Sequence, residues 1–135
     1  MALDIFITLN GKVPKWNEAT SLSFDSESAD YWYLWSTLLK EIKDQTGVLL
    51  DLYEDTVLSG ENLTKVERIL LKQLKELKAM KEKQWEVHTG TEIVPIQREV
   101  YKTLIKKDLV EKLERFLGIV QLAIKKEEKV MCTGD

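Results

Sequence analysis

The sequence predicts an α+β fold, with about three amphipathic helices packed on a small mixed or antiparallel sheet. Three observations predict it. Strand-like and helix-like periodicities alternate along the chain. Three stretches, near 28–46, 62–80 and 102–126, repeat apolar residues at three- and four-residue spacing, so each has one apolar face to bury. Shorter stretches near both ends and around 85–97 alternate with a period of two. With 44% hydrophobic and 32% charged residues, the 135-residue chain fits a single globular domain over 1–135. That length supports a core without disulfide or metal staples.

The opening run LDIFITL at 3–9 places Leu3, Ile5, Ile7 and Leu9 on one side and Asp4, Phe6 and Thr8 on the other, a strand. Asn10-Gly11 then suits a tight turn, because both residues tolerate positive φ. Pro14 confines the return segment to an edge strand or a loop, since proline cannot donate to a ladder. A second short alternation, SLSFD at 21–25, sets Leu22 and Phe24 on one face.

Ser26 or Ser28 can cap the first helix, which is expected to run unbroken to Thr46-Gly47. It carries YWYLW at 31–35, four of the eleven aromatic side chains. At 100° per residue Tyr31, Leu34, Trp35, Leu38, Leu39 and Ile42 share the inner face. Trp32 falls at its margin, and Tyr33 on the far side with Ser36, Thr37, Lys40 and Asp44. The segment at 48–60 reads as a short strand or an irregular loop. A helix opening at Asn62 or Thr64 follows, with Thr64 and Glu67 spaced as a capping box. Leu63, Val66, Leu70, Leu74 and Leu77 form its stripe, and lysines at 65, 72, 75, 78 and 81 make the rest basic.

Trp85 and Val87 alternate with Glu86 and His88, so 83–97 is expected to be a hairpin that turns at Gly90, with Pro95 interrupting its second strand. The last helix is expected from Lys102 to Lys126, its inner face formed by Ile105, Leu109, Leu113, Phe116, Val120 and Ala123. The charged KKEEK then leads into a final strand, VMCTGD.

Chemistry is sparse. No phosphate-binding, dinucleotide-binding, nucleophile-elbow or metalloprotease motif occurs, and no cofactor is implied. One histidine and one cysteine are too few for an ordinary zinc site, so no metal is expected. His88 and Cys132 form a His–Cys pair only if their strands are neighbours; alone, Cys132 in its apolar run is a small core residue. The first helix does not supply a wide aromatic surface, because Tyr31 and Trp35 are expected to turn inward.

Charge is the more informative feature. Residues 1–61 hold 11 acidic against 4 basic side chains, and residues 62–135 hold 12 against 16. The acidic half contains two clusters, Asp25, Glu27 and Asp30, and Asp51, Glu54 and Asp55, with Tyr33 and Tyr53 in or beside them. Acidic side chains around tyrosine suit a basic protein partner, since complementary potential speeds encounter and tyrosine is favoured at interface centres. These eight residues are the candidate partner-binding set. Nucleic acid is disfavoured, because the lysines are interleaved with glutamates and not with aromatics. No apolar run spans a membrane and no basic leader precedes the first strand, so a cytoplasmic location is expected. Two other readings compete with partner binding. One is a small enzyme using the DLYED carboxylates at 51–55, with or without His88; the other is a homo-oligomer meeting through Trp32 or Tyr33.

The string WEVHTGTE at 85–92, the leucine-rich helix after it and the closing TGD at 133–135 resemble a loose set of small bacterial proteins, some associated with toxin–immunity systems. The resemblance covers roughly the C-terminal half and assigns no residue a role. It implies a cytoplasmic bacterial protein that neutralises a cognate toxin by binding it, an acidic surface suiting a basic toxin such as a nuclease.

Overall fold

The computed structural model describes residues 2–8, 20–93 and 96–134. The Asn10-Gly11 turn, the Pro14 segment and the Pro95 interruption lie outside the described residues. Three strands meet where the ends of the chain converge: β1 (Ala2–Thr8), β2 (Ser21–Asp25) and, from the C-terminal region, β6 (Lys129–Gly134). With the short β3 (Thr56–Leu58) they form an antiparallel sheet in the order β2-β1-β6-β3. Leu3 and Ile5 of β1 point into the core as their alternation predicts. Phe6 and Thr8, expected on the open face, are buried as well, so the second half of β1 is screened on both sides.

The helical layer consists of α1 (Ala29–Ser36), α2 (Leu38–Thr46), α3 (Glu61–Ala79) and α4 (Lys106–Lys126). The expected first helix is thus broken at Thr37, whose φ of −119° and ψ of −87° leave the helical region. The hydroxyls of Ser36 and Thr37 both donate to the Tyr33 carbonyl, at 3.2 and 2.9 Å. Side-chain donors that compete for a helix carbonyl in this way bend or interrupt the ladder. Gly47, at φ 75°, ends α2 in the left-handed conformation that glycine adopts without strain. The Thr64–Glu67 capping box does not form, because α3 begins earlier, at Glu61 after Gly60, and Thr64 is already inside it.

The stripes of α3 and α4 are buried largely as their spacing predicts: Leu63, Val66, Ile69, Leu70, Leu74 and Leu77 on one, Leu109, Leu113, Phe116, Ile119, Val120 and Ala123 on the other. They close over Leu22, Phe24, Leu58, Val130 and Cys132 from the sheet to form one hydrophobic core. Each fully buried leucine or phenylalanine is worth roughly 1.5–3 kcal/mol of transfer free energy, so these stripes outweigh any single polar contact in holding the fold.

A second, two-stranded sheet stands apart: β4 (Gln84–Glu92) paired antiparallel with β5 (Arg98–Ile105). Two expectations change here. Gly90 is not the turn; it lies within β4, at a bulge where the register shifts between His88 and Gly90. The chain stays extended through Lys102, so α4 starts four residues later than its spacing suggests, and Ile105, assigned to the inner face, is 46% exposed. Cross-strand pairing with β4 decides the matter, since VYKTLI is rich in residues that suit a strand once a neighbour is present.

The hairpin lies across α1, and this reverses two aromatic assignments. Tyr33, expected outward, is half-buried with its ring 5.4 Å from Trp85 in an edge-to-face contact. Trp35, expected inward, is 37% exposed, while Tyr31 is buried as expected. Trp32 is tied locally, its indole N–H donating to the Ser26 carbonyl at 2.7 Å. The two residues through which a homo-oligomer was expected to meet are therefore engaged within the fold.

Candidate functional site

Strand register assembles a site from distant parts of the chain. Asp25, the last residue of β2, lies opposite Ala2; Gly134, the last of β6, lies opposite Leu3; and Thr56, the first of β3, lies opposite Cys132. The Asp25 end of β2 and the 51–55 approach to β3 are thus at the same end of the four-stranded sheet. Both acidic clusters lie at that end, on opposite edges of the sheet with β1 and β6 between them, which the linear sequence does not reveal.

Each cluster is held by its own backbone. Asp25 Oδ1 accepts the N–H of Glu27 at 2.8 Å. Asp51 Oδ1 accepts the N–H groups of Tyr53 and Glu54 at 3.0 and 2.9 Å, a carboxylate-closed turn. That turn presents Tyr53, 75% exposed, beside the exposed Glu54 and Asp55. Its seat on the sheet depends on Gly134, since a side chain there would collide with the backbone of Leu52 and Tyr53. Tyr31 lies close enough to Asp51 and Tyr53 to feel their charge. Burial pushes its phenol up to about 12, with the charge of Asp51 and the neighbouring Tyr53 adding to the effect.

Two of the eight candidate residues are spent inside the fold. Asp30 is buried, accepts the N–H of Tyr31 at 2.7 Å and is paired with the Ser28 hydroxyl and the Lys112 ammonium. Its carboxylate locks the start of α1 to α4, and a charge so engaged offers little to a partner. Tyr33 faces the hairpin and α3, with burial and then Glu76 raising its phenol pKa. Asp25, Glu27, Asp51, Tyr53, Glu54 and Asp55 remain at the acidic end. Lys102 reaches this end from β5, donating to the Glu27 carbonyl at 2.6 Å.

His88 and Cys132 are not brought together. Cys132 sits fully buried in β6 of the four-stranded sheet, and burial pushes its thiol up to about 12, which keeps it protonated and unreactive at neutral pH. His88 is exposed on β4 in the other sheet, its Nε2 against Glu99 and its ring 5.3 Å from Tyr101. The Thr91 hydroxyl donates to the same Glu99 oxygen at 3.0 Å. The TGTE and TGD strings likewise fall in different sheets, Asp135 lying outside the described residues. Among the described residues no group of three or more His, Cys, Asp or Glu side chains is placed to hold a metal ion, and no helix is long and apolar enough to cross a membrane.

A further feature was not anticipated. Where α3 ends, β4 begins and α4 starts, a groove of about 520 Å³ has Ile105 and Val110 on its floor and Lys78, Lys83, Lys106 and Lys107 around it. The signal in the sequence was the pair Lys106-Lys107 following an apolar Leu104-Ile105. Helical spacing conceals it by placing those residues in the first turns of a helix from Lys102.

These features define a small α+β domain with an acidic, tyrosine-bearing sheet end and a separate basic groove. No protein-family model matches the chain, and neither the curated proteins nor the solved structures contain a significant match to it.

Proposed function

We propose that this chain is a non-enzymatic protein-binding domain that receives a basic partner protein on its acidic sheet end, with immunity-type inhibition of a toxin as its specific form. One observation carries the reading: the strand register puts Asp25 and Glu27 at the same end of the sheet as Asp51, Glu54 and Asp55, which flank an exposed Tyr53. Tyrosine supplies a large contact area at low entropic cost, and the surrounding carboxylates steer a basic surface toward it. The turn closed by Asp51 is already ordered, so binding has little loop entropy to overcome. The resemblance of the C-terminal half to small bacterial proteins, some associated with toxin–immunity systems, implies the same class of partner.

The test combines capture with substitution. Tagged protein is presented to lysate of its own host at low and moderate salt, beside the variant Asp51→Asn/Glu54→Gln/Asp55→Asn and the variant Tyr53→Ala. A basic protein held in stoichiometric amount, released by salt, lost with the triple variant and weakened by roughly tenfold or more by Tyr53→Ala is the expected result. A partner held equally well by all three proteins, with no response to salt, would remove the acidic end from consideration.

A further inference from the structure

The basic groove and the acidic turn are matched surfaces on one molecule. Lys78 is ion-paired with Glu114 at 2.9 Å, and Lys106 donates to the carbonyls of Lys78 and Met80 at 3.1 and 2.6 Å, closing the end of α3. Lys83 and Lys107 differ: both are exposed, and neither ammonium has a partner among the described residues. The same groove is lined by two aliphatic side chains, the exposed Ile105 and the half-buried Val110. Four lysines thus line the groove with one carboxylate, Glu111, while Glu114 pairs with Lys78 from outside the lining. An apolar lining beside unpaired cations suits a segment with one large apolar side chain followed by carboxylates.

The chain exposes such a segment: Tyr53, then Glu54 and Asp55, on a turn already closed by Asp51. A tyrosine buries about 150–250 Å² when it finds a pocket, and the groove has room for it. We propose that this groove receives the Tyr53–Asp55 segment of a second copy of the chain, Tyr53 on the Ile105–Val110 floor and the two carboxylates against Lys83 and Lys107. Because groove and segment are different surfaces, each copy offers one of each. Association therefore either closes as a reciprocal pair or runs on as a chain. The same segment serves the proposed partner, so self-association and partner binding compete for it.

Sedimentation equilibrium of the untagged protein, from micromolar to millimolar concentration and at low and high salt, tests this directly. The expected result is an average mass that rises with concentration at low salt and returns to the monomer at high salt. Tyr53→Ala, or Lys83→Glu with Lys107→Glu, is expected to weaken association about tenfold or more. An equimolar mixture of the doubly reversed groove variant with Glu54→Lys/Asp55→Lys is expected to restore it, since each reversed surface then meets its opposite. All of these changes are on exposed side chains, and thermal unfolding by circular dichroism confirms that each variant is folded. Wild-type protein that stays monomeric throughout at low salt overturns the proposal. So does association that persists unchanged in either the groove or the Tyr53 variant. The groove changes leave the acidic end intact, so loss of self-association with partner capture retained separates this proposal from the function proposed above.

Discussion

The four-stranded sheet and the β4–β5 hairpin are both antiparallel, and the hairpin has the longer strands, yet they are held by different means. The sheet is covered by α4, with α3 packed against that helix, and its inward side chains, such as Leu3, Phe24, Val130 and Cys132, are buried completely or nearly so. The hairpin has one side against α1 through Trp85 and Val87, while its other side leaves Tyr101 and His88 in solvent. A two-stranded hairpin is marginal in water by itself, so β4–β5 depends on the Trp85–Tyr33 contact and the buried Leu104 where the sheet depends on a whole core. Adjacent regions of one domain can therefore differ widely in local stability.

The difference can be broken from the core side first. Phe116→Ala removes a fully buried ring between α4 and the sheet and is expected to cost about 3–5 kcal/mol, seen as a fall in the urea midpoint reported alike by all probes. Gly134→Ala comes next, at about 1–3 kcal/mol, because the new methyl must push the Leu52–Tyr53 backbone off the sheet end. Hydrogen exchange should show the 51–55 turn opening before the core; unchanged protection there would mean that the turn is not seated on the sheet.

On the hairpin side, Trp85→Ala removes the edge-to-face contact with Tyr33 and is expected to cost about 1–2 kcal/mol. Amides of β4 and β5 should then exchange faster while those of β1 and β6 keep their protection. Equal acceleration in both sheets would show that the hairpin and the core open as one unit. Glu99→Gln, which removes the exposed partner of His88, is expected to change stability by less than about 1 kcal/mol.

Alkaline pH sharpens the contrast, since it acts on buried groups of the sheet and of α1. The Cys132 thiol and the Tyr31 phenol both have folded pKa values of about 12, above their ordinary 9.0 and 10.0. Each is neutral when protonated, so the unfolded chain loses its proton first. The stability contributed by each neutral group is whole below its unfolded pKa and declines as pH rises toward about 12. Urea midpoints should hold level to about pH 9 and fall above it, and Cys132→Ala should flatten the first part of the fall. A decline of equal slope in that variant would place its cause elsewhere.

Much of this architecture is legible in the amino-acid order. The spacing of Leu63, Val66, Leu70, Leu74 and Leu77, and of Leu109, Leu113, Phe116, Val120 and Ala123, determines two helices and the faces they bury, because a stripe of that width has no stable place in water. The alternation at either end of the chain determines strands, and the order of elements follows. The acidic character of the first 61 residues is equally plain.

Tertiary structure decided the rest. Whether 102–105 would be helix or strand depended on a neighbour, β4, to pair with. Tyr33 and Trp35 exchanged their expected exposures because the hairpin lies over one side of α1, and helical periodicity says nothing about which side another element will cover. Asp30 left the surface when Lys112, 82 residues away, came within reach. Asp25 and the 51–55 turn became one acidic end only through the register of four strands. Periodicity is set by residues a few positions apart, but exposure and charge clustering depend on contacts between distant segments, which exist only once the chain has folded.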